Sequence, residues 1–358
     1  MREYIDMNLW IVSNCRPNSG WGTYVNNLHD AMGDNAKYLN LFGSNNLEKC
    51  AGDTAIIPGT SRLRPFVARG MPKLYFHGLI NSIKNERKNG LIVHYAYHLL
   101  PLIGDKNIDI VTIHDVIFLS KWFTDRPMVR NLYSKRLLKG YLNYEHIITV
   151  SNSIKKQLMS ISERSDIEVI HHPCPTSFRS FTVLDSDKRK LKLPTDKILI
   201  LSTSNNKPWK NLPMISRVMQ KLGDKFVLIR VGPGIDTGIT FMQVDQTTLN
   251  LLYNSCHLLL FPSLEEGFGF PILEAMKTGL PAVVSDIEVF HEIGSDAVEY
   301  VNPQDADSIV AGIFRAIDRA EKMRELGFRR SALYTEEIFR KKMLSYYERV
   351  ANSSSANH

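Results

Sequence analysis

Three short stretches of this 358-residue chain hold side chains whose types and spacing could do chemistry. The first is Pro262–Met276, PSLEEGFGFPILEAM. Pro271 suits the first turn of a helix, where its missing N–H costs nothing, and the pattern predicts a helix over 271–278. Gly267 and Gly269 precede it and let backbone approach a ligand closely. A helix start adds free N–H groups and partial positive charge. Glu266 falls on the loop and Glu274 in the first turn, so two carboxylates could accept hydrogen bonds from a polyhydroxylated, anionic ligand. Two other readings use the same residues. Acids near a helix start stabilise its dipole by ~0.3–1 kcal/mol without any function. A glycoside hydrolase would need both carboxylates to flank one bond.

The second stretch, SNNKPWKNL from Ser204 to Leu212, follows a predicted strand. It offers Lys207 and Lys210 to an anion, or simply to solvent. The third is VTIHDV, which puts His114 at the end of a predicted strand, where parallel sheets face their ligands. A structural histidine is the plainer alternative. Gly20 and Gly22 permit a tight loop after the first strand, with a helix beginning at Tyr24. A second Gly-x-Gly, Gly232-Pro233-Gly234, lacks the third glycine of a dinucleotide loop. There is no Ser-His-Asp arrangement and no Asp-x-Asp pair for a metal.

The elements that must position these residues alternate as short apolar runs and helical patterns, which argues for parallel, doubly wound sheets. Strands are expected over 9–13, 38–42, 91–94, 108–113, 146–150 and 167–170. After a polar stretch at 178–194, read as the interdomain linker, they resume over 198–203, 226–231, 241–244, 257–261, 281–285 and 298–301. The length suits two domains of roughly 150–180 residues: 1–180 and 190–335, with a last helix over 336–350 packing back on the first. Residues 351–358 read as a frayed tail.

The net charge is +7, and it is uneven. Residues 1–180 hold 22 basic against 15 acidic side chains; the remainder is balanced. Segments 61–90 and 121–140 contribute +6 and +5. Arg62, Arg64, Arg69 and Lys73 in SRLRPFVARGMPK could attract phosphates or anionic lipid. No aromatic stacking platform accompanies them, so nucleic acid is not expected. No apolar run reaches the ~18 residues of a membrane span, and the first residues do not resemble a signal peptide. Cys15, Cys50, Cys174 and Cys256 lack disulfide or metal spacing, which suits a reducing compartment. The expectation is a cytoplasmic protein, peripheral at the inner membrane face where the basic segments dock.

EGFGFPILEAM followed by GLPAVVSD resembles the signature of glycosyltransferase family 4, and the similarity runs through residues 198–349. The resemblance implies the GT-B fold, two Rossmann-like domains facing a central cleft. It implies a retaining, metal-independent glycosyltransferase that moves a hexose, mannose or glucose, from a GDP-, UDP- or ADP-linked donor to a glycan or lipid-linked acceptor. No cofactor is implied. Glu266 would contact the transferred sugar, and the backbone of Gly267, Phe268, Gly269 and Phe270 its hydroxyls and phosphate. Glu274 would bind the ribose. Lys210-Asn211 matches the family's phosphate-binding pair, with Ser204 and Lys207 beside it and no Arg in the loop. Gly22 would approach the donor phosphate, and His114 the reacting carbon. Glu265 would be solvated. The other histidines are read as structural. A catalytically silent nucleotide-sugar or polyanion binder on the same fold is the alternative.

Overall fold

The computed structural model describes residues 8–13, 20–40, 77–96, 104–120, 135–136, 138–235 and 237–356. Contacts divide the chain into two compact units. Met1–Leu119, Asp125–His172 and Glu337–His358 form the first; Ser120–Thr124 and Pro173–Glu336 form the second.

In the first unit, β1 (Leu9–Ser13), β2 (Lys37–Asn40), β3 (Ile92–Tyr95), β4 (Ile110–Ile113), β5 (His146–Thr149) and β6 (Glu168–Val169) form one sheet in the order β2-β1-β3-β4-β5-β6. All its pairings are parallel. The inner strands β1, β3, β4 and β5 are short, largely apolar runs buried on both faces, as a parallel sheet covered by helices requires. Helices α1 (Gly20–Met32), α2 (His77–Glu86) and α3 (Asn152–Ser160) connect them. Ser151 caps α3 by accepting from the Ile154 N–H at 3.3 Å.

The second unit repeats the plan. Strands β7 (Ile198–Thr203), β8 (Phe226–Val231), β9 (Ile239–Phe241), β10 (Leu258–Phe261), β11 (Ala282–Ser285) and β12 (Glu299–Val301) order as β12-β11-β10-β7-β8-β9, again parallel throughout. Its helices are α4 (Asp185–Lys190), α5 (Leu212–Leu222), α6 (Gln246–Ser255), α7 (Phe270–Thr278), α8 (Glu288–Gly294), α9 (Ala306–Asp318) and α10 (Ala320–Ser331). Each sheet therefore reverses direction once, between β1 and β3 in the first unit and between β7 and β10 in the second. These reversals are where open α/β sheets hold ligands.

Several boundaries differ from the sequence expectation. The stretch read as a linker carries α4 and lies within the second unit, and the chain passes between units at His172–Pro173. A strand expected over 241–244 ends at Phe241, because Asp245 is committed to capping α6 through the Thr248 N–H at 2.7 Å. The expected frayed tail is instead helical. Helix α11 (Glu336–Ala356) continues past Arg349, and its Phe339, Met343, Tyr346, Tyr347 and Val350 join Leu9, Ile11, Tyr24 and Leu28 in the first unit's core. Their spacing of three and four residues puts one face of α11 in that core.

Candidate functional site

In the second unit, the loops that leave β7 and β10 meet. Asn211 takes a left-handed conformation (φ 59°), and its amide donates to the Pro262 carbonyl at 3.0 Å and the Pro303 carbonyl at 2.8 Å. The Leu264 N–H donates to the Trp209 carbonyl at 2.7 Å. These bonds bring Lys210, on the 3-10 turn Pro208–Lys210, to Glu266, 56 residues further along. Lys210 Nζ donates to Glu266 Oε1 in an ion pair whose side chains are only 13% and 11% exposed. The same Nζ lies 5.5 Å from the centre of the Phe261 ring. Taking both charges out of water is costly unless each keeps the other, so a ligand that draws one away must replace it with an equivalent charge or dipole.

Glu265 is not solvated. It is half-buried and hydrogen-bonded to Ser120, and burial raises its carboxyl above the usual range. Gly267, Phe268 and Gly269 are buried, with Phe268 edge-on to Phe270 at 5.5 Å. Gly269 has φ 126°, a conformation that calls for glycine, and a Cβ there would crowd Phe290 at 3.2 Å. It caps α7, whose first N–H groups have no intrahelical acceptor.

Glu274 is placed differently from the sequence reading. Helix α7 begins at Phe270, which puts Glu274 in its second turn, beyond the reach of a dipole-capping role. Its Oε2 accepts from the Tyr253 hydroxyl at 2.6 Å. Burial pushes this carboxyl up to about 7, and the Tyr253 bond pulls the other way.

Ser204 donates to the Asn205 carbonyl at 2.9 Å, and Lys207 is exposed with no carboxylate partner among the described residues. Sequence reasoning missed Arg230. This residue interrupts the apolar strand FVLIRV and is fully buried. Its guanidinium reaches the Ser202 and Ser204 carbonyls at the end of β7. A lone charge at an interior position of a parallel strand was the available signal. Tyr253, on α6, was missed because nothing local marks it. The buried hydroxyls of Ser263 and Ser285, just after β10 and at the end of β11, have no hydrogen-bond partner among the described residues, which leaves them to water or a ligand.

The first unit places a different group at its reversal point. His114 is 4% exposed, and its Nε2 donates to the Ala96 carbonyl, just past β3, at 2.8 Å. Burial lowers its imidazole to about 4, so it is neutral. Tyr24 from α1 stands edge-on to it at 4.7 Å, and the His172 ring stacks parallel to it at 5.7 Å. His94, fully buried and lowered to about 3, links Thr112 Oγ1 at 2.7 Å to the Tyr347 hydroxyl at 2.6 Å. Tyr24 joins the same Thr112 oxygen at 2.9 Å. His94 thus sits in a structural network, whereas His172 shares the immediate surroundings of His114. Gly20 and Gly22 form no loop before the helix. They open α1 itself, and Gly22 is buried within its first turn. Arg62, Arg64, Arg69 and Lys73 lie outside the described residues. Among the described residues, no cluster of three His, Cys, Asp or Glu could hold a metal, and no helix is long and apolar enough to cross a membrane.

Residues 184–329 match the family model described as glycosyl transferases group 1. The chain is 28% identical over 266 residues to the O-antigen chain mannosyltransferase RfbU of Salmonella typhimurium, covering 70% of each. Its fold is that of sucrose-phosphate synthase from Thermosynechococcus elongatus, with TM-score 0.76 and 19% identity over 97% of this chain and 100% of that one. Anabaena HepE in complex with UDP and glucose superposes with TM-score 0.75 and 14% identity, covering 95% and 98%. Two parallel-sheet α/β units with these neighbours make the fold GT-B.

Proposed function

We propose, from the premise that this chain belongs to the glycosyl transferases group 1, that it transfers mannose from a nucleoside diphosphate donor to a glycan or lipid-linked acceptor, with retention and without a metal. The observation that carries the reading is the buried Lys210–Glu266 ion pair at the reversal point of the second sheet. It holds in one place the two charges a sugar diphosphate needs. The diphosphate takes Lys210, and Glu266, released from its cation, accepts hydroxyl hydrogen bonds from the sugar. Fixed cations and the α7 N–H groups stabilise the departing phosphate. A retaining reaction then needs no protein nucleophile: the acceptor hydroxyl attacks on the face the phosphate leaves, and the phosphate takes its proton. Glu274, held by Tyr253, is the acceptor for the ribose hydroxyls. His114, neutral and fixed by Ala96, is a hydrogen-bonding group for the transferred sugar.

Mannose is favoured because RfbU is named a mannosyltransferase of the O-antigen chain. The complex of HepE with UDP and glucose supports a nucleotide and a hexose as ligands of this fold. The basic excess of residues 61–90 supports an acceptor side that meets anionic membrane. Incubation with GDP-mannose, UDP-glucose and ADP-glucose, with and without chelator, tests the reading. Turnover of GDP-mannose in chelator with an α-linked product is the expected result. Absence of transfer and of donor hydrolysis with all three refutes it. Flotation with anionic liposomes reads the membrane part, and equal binding by a variant neutralised at Arg62, Arg64 and Arg69 overturns it.

A further inference from the structure

Arg230 is a buried cation with no carboxylate partner among the described residues. Its contacts are nearly all to backbone oxygens. Nη1 donates to Ser202 O at 3.1 Å and Val231 O at 3.0 Å; Nη2 to Ser204 O at 2.5 Å, Ser204 Oγ at 3.0 Å and Asn205 O at 3.4 Å; Nε to Pro233 O at 3.3 Å. These acceptors satisfy the N–H groups, yet none of them carries a formal charge. The hydrogen bonding is complete while the positive charge stays unbalanced, and burying such a charge costs several kcal/mol. A packed apolar residue, which the rest of β8 has, would avoid that cost. Desolvation lowers the guanidinium only to about 10, so it remains a cation throughout the neutral range.

Its position gives the charge a use. The acceptors lie at the ends of β7 and β8, on the edge where Ser204, Lys207 and Lys210 begin the next loop. That loop is pressed against the exit of β8. Gly232 has φ 117°, and a Cβ there would stand 2.1 Å from the Ser204 carbonyl oxygen. The 204–205 backbone is thus clamped between a glycine that allows close approach and a guanidinium fork that grips it. Lys207 is exposed, and Lys210 is engaged with Glu266. Arg230 is the cation here that a bound anion need not first reorganise.

We propose that Arg230 is the fixed cation of the diphosphate site, a positioning residue that holds the 202–205 backbone and supplies a buried positive charge to an anionic ligand on that edge. The proposal rests on the nucleoside diphosphate reading above. The ligand's phosphates are the counter-charge that Arg230 lacks. They interact through the loop rather than by direct contact, since the side chain is fully covered.

Calorimetry with GDP, UDP and ADP, and with guanosine, uridine and adenosine, tests it. The ratio of nucleoside Kd to diphosphate Kd for the tightest pair measures what the phosphates contribute. Arg230→Gln removes the charge and leaves two of the five N–H donors; the ratio is expected to fall at least tenfold while nucleoside affinity changes less than twofold. Arg230→Lys keeps the charge without the fork, and the ratio is expected to stay within threefold. Equal weakening of nucleoside and diphosphate in Arg230→Gln identifies a purely structural clamp and overturns the proposal. If Arg230→Gln does not fold, Arg230→Lys still decides, because a tenfold loss of the ratio there shows that charge is not what matters. Failure of all three diphosphates to bind the wild type removes the donor site itself, an outcome distinct from any change in the ratio.

Discussion

The two units bury polar groups beside the same point of the same topology and treat charge in opposite ways. At the reversal of the second sheet Lys210 and Glu266, and beside it Arg230 on β8, are charged and largely withdrawn from water. Beside the reversal of the first sheet, His94 within β3 and His114 just after β4 are buried and held neutral, bonded to hydroxyls and a carbonyl. The contrast teaches that the reversal point supplies only a position. The residue at each strand end decides whether that position offers a field or a set of neutral hydrogen bonds. A donor with a charged leaving group suits the first kind of edge, and sugar hydroxyls suit the second.

The largest expected effect comes from removing the charge contrast at its centre. Glu266→Gln is predicted to lower kcat at least ~100-fold, within the range seen for single electrostatic groups, with the fold retained by circular dichroism. Unchanged transfer would remove Glu266 from the reaction and leave the pair as a structural ion pair. His114→Ala is predicted to lower kcat by ~10–100-fold, the scale of a lost positioning hydrogen bond and packing contact. Because His114 is already neutral well above about pH 4, its removal should not alter the shape of the pH–rate profile between about pH 6 and 8. A lost inflection in that range would show that it titrates during the reaction.

The buried histidines and Glu274 should also answer pH in opposite directions. His94 and His114 have lowered imidazole pKa values. The unfolded chain therefore takes up protons first, and the stability they contribute is present above about 6.5 and lost as pH falls towards 4. For His114 the shift corresponds to about 3 kcal/mol by that linkage. Glu274 is raised to about 7. Its contribution is present below its ordinary value of 4.5 and lost as pH rises through about 7. Thermal unfolding across about pH 4 to 8 reads both slopes. Glu274→Gln should shrink the loss on the alkaline side and leave the acid side as it is, and an unchanged curve would contradict the burial argument.

The smallest predicted change belongs to Tyr253→Phe. It leaves the Glu274 carboxylate without its donor, costs ~1–3 kcal/mol of stability and moves Glu274 further upward in pH, since the Tyr253 bond is what lowers it. Nucleotide affinity at pH 7 should fall a few-fold. Equal affinities in the two proteins would separate Glu274 from the ribose.

Much of this was legible in the order of residues. Strands over 9–13, 198–203 and 226–231 coincide with β1, β7 and β8 because buried parallel strands are apolar runs with sharp polar ends. Glycine at 269 and proline at 271 marked the start of α7 because each is dictated by local backbone geometry. The expected end of α11 fell short because its last turns are polar and carry no apolar face for a sequence pattern to show. Glu274 falls in the second turn rather than the first because α7 starts at Phe270, one residue before Pro271, which fits N1 or N2 alike.

By itself the sequence determined the class of the molecule: two rounds of alternating strand and helix, a glycine-rich helix start and the acidic and basic residues at strand ends. Local periodicity and turn chemistry are sufficient for that. Only the tertiary structure decided which of those residues share an environment. Lys210 and Glu266 become one buried pair, and Glu274 becomes a carboxyl poised near neutrality. Arg230 changes from an oddity in an apolar strand into a charge beneath the β7 loop. Burial and long-range pairing set these properties, and both depend on neighbours that the chain brings together only after it folds.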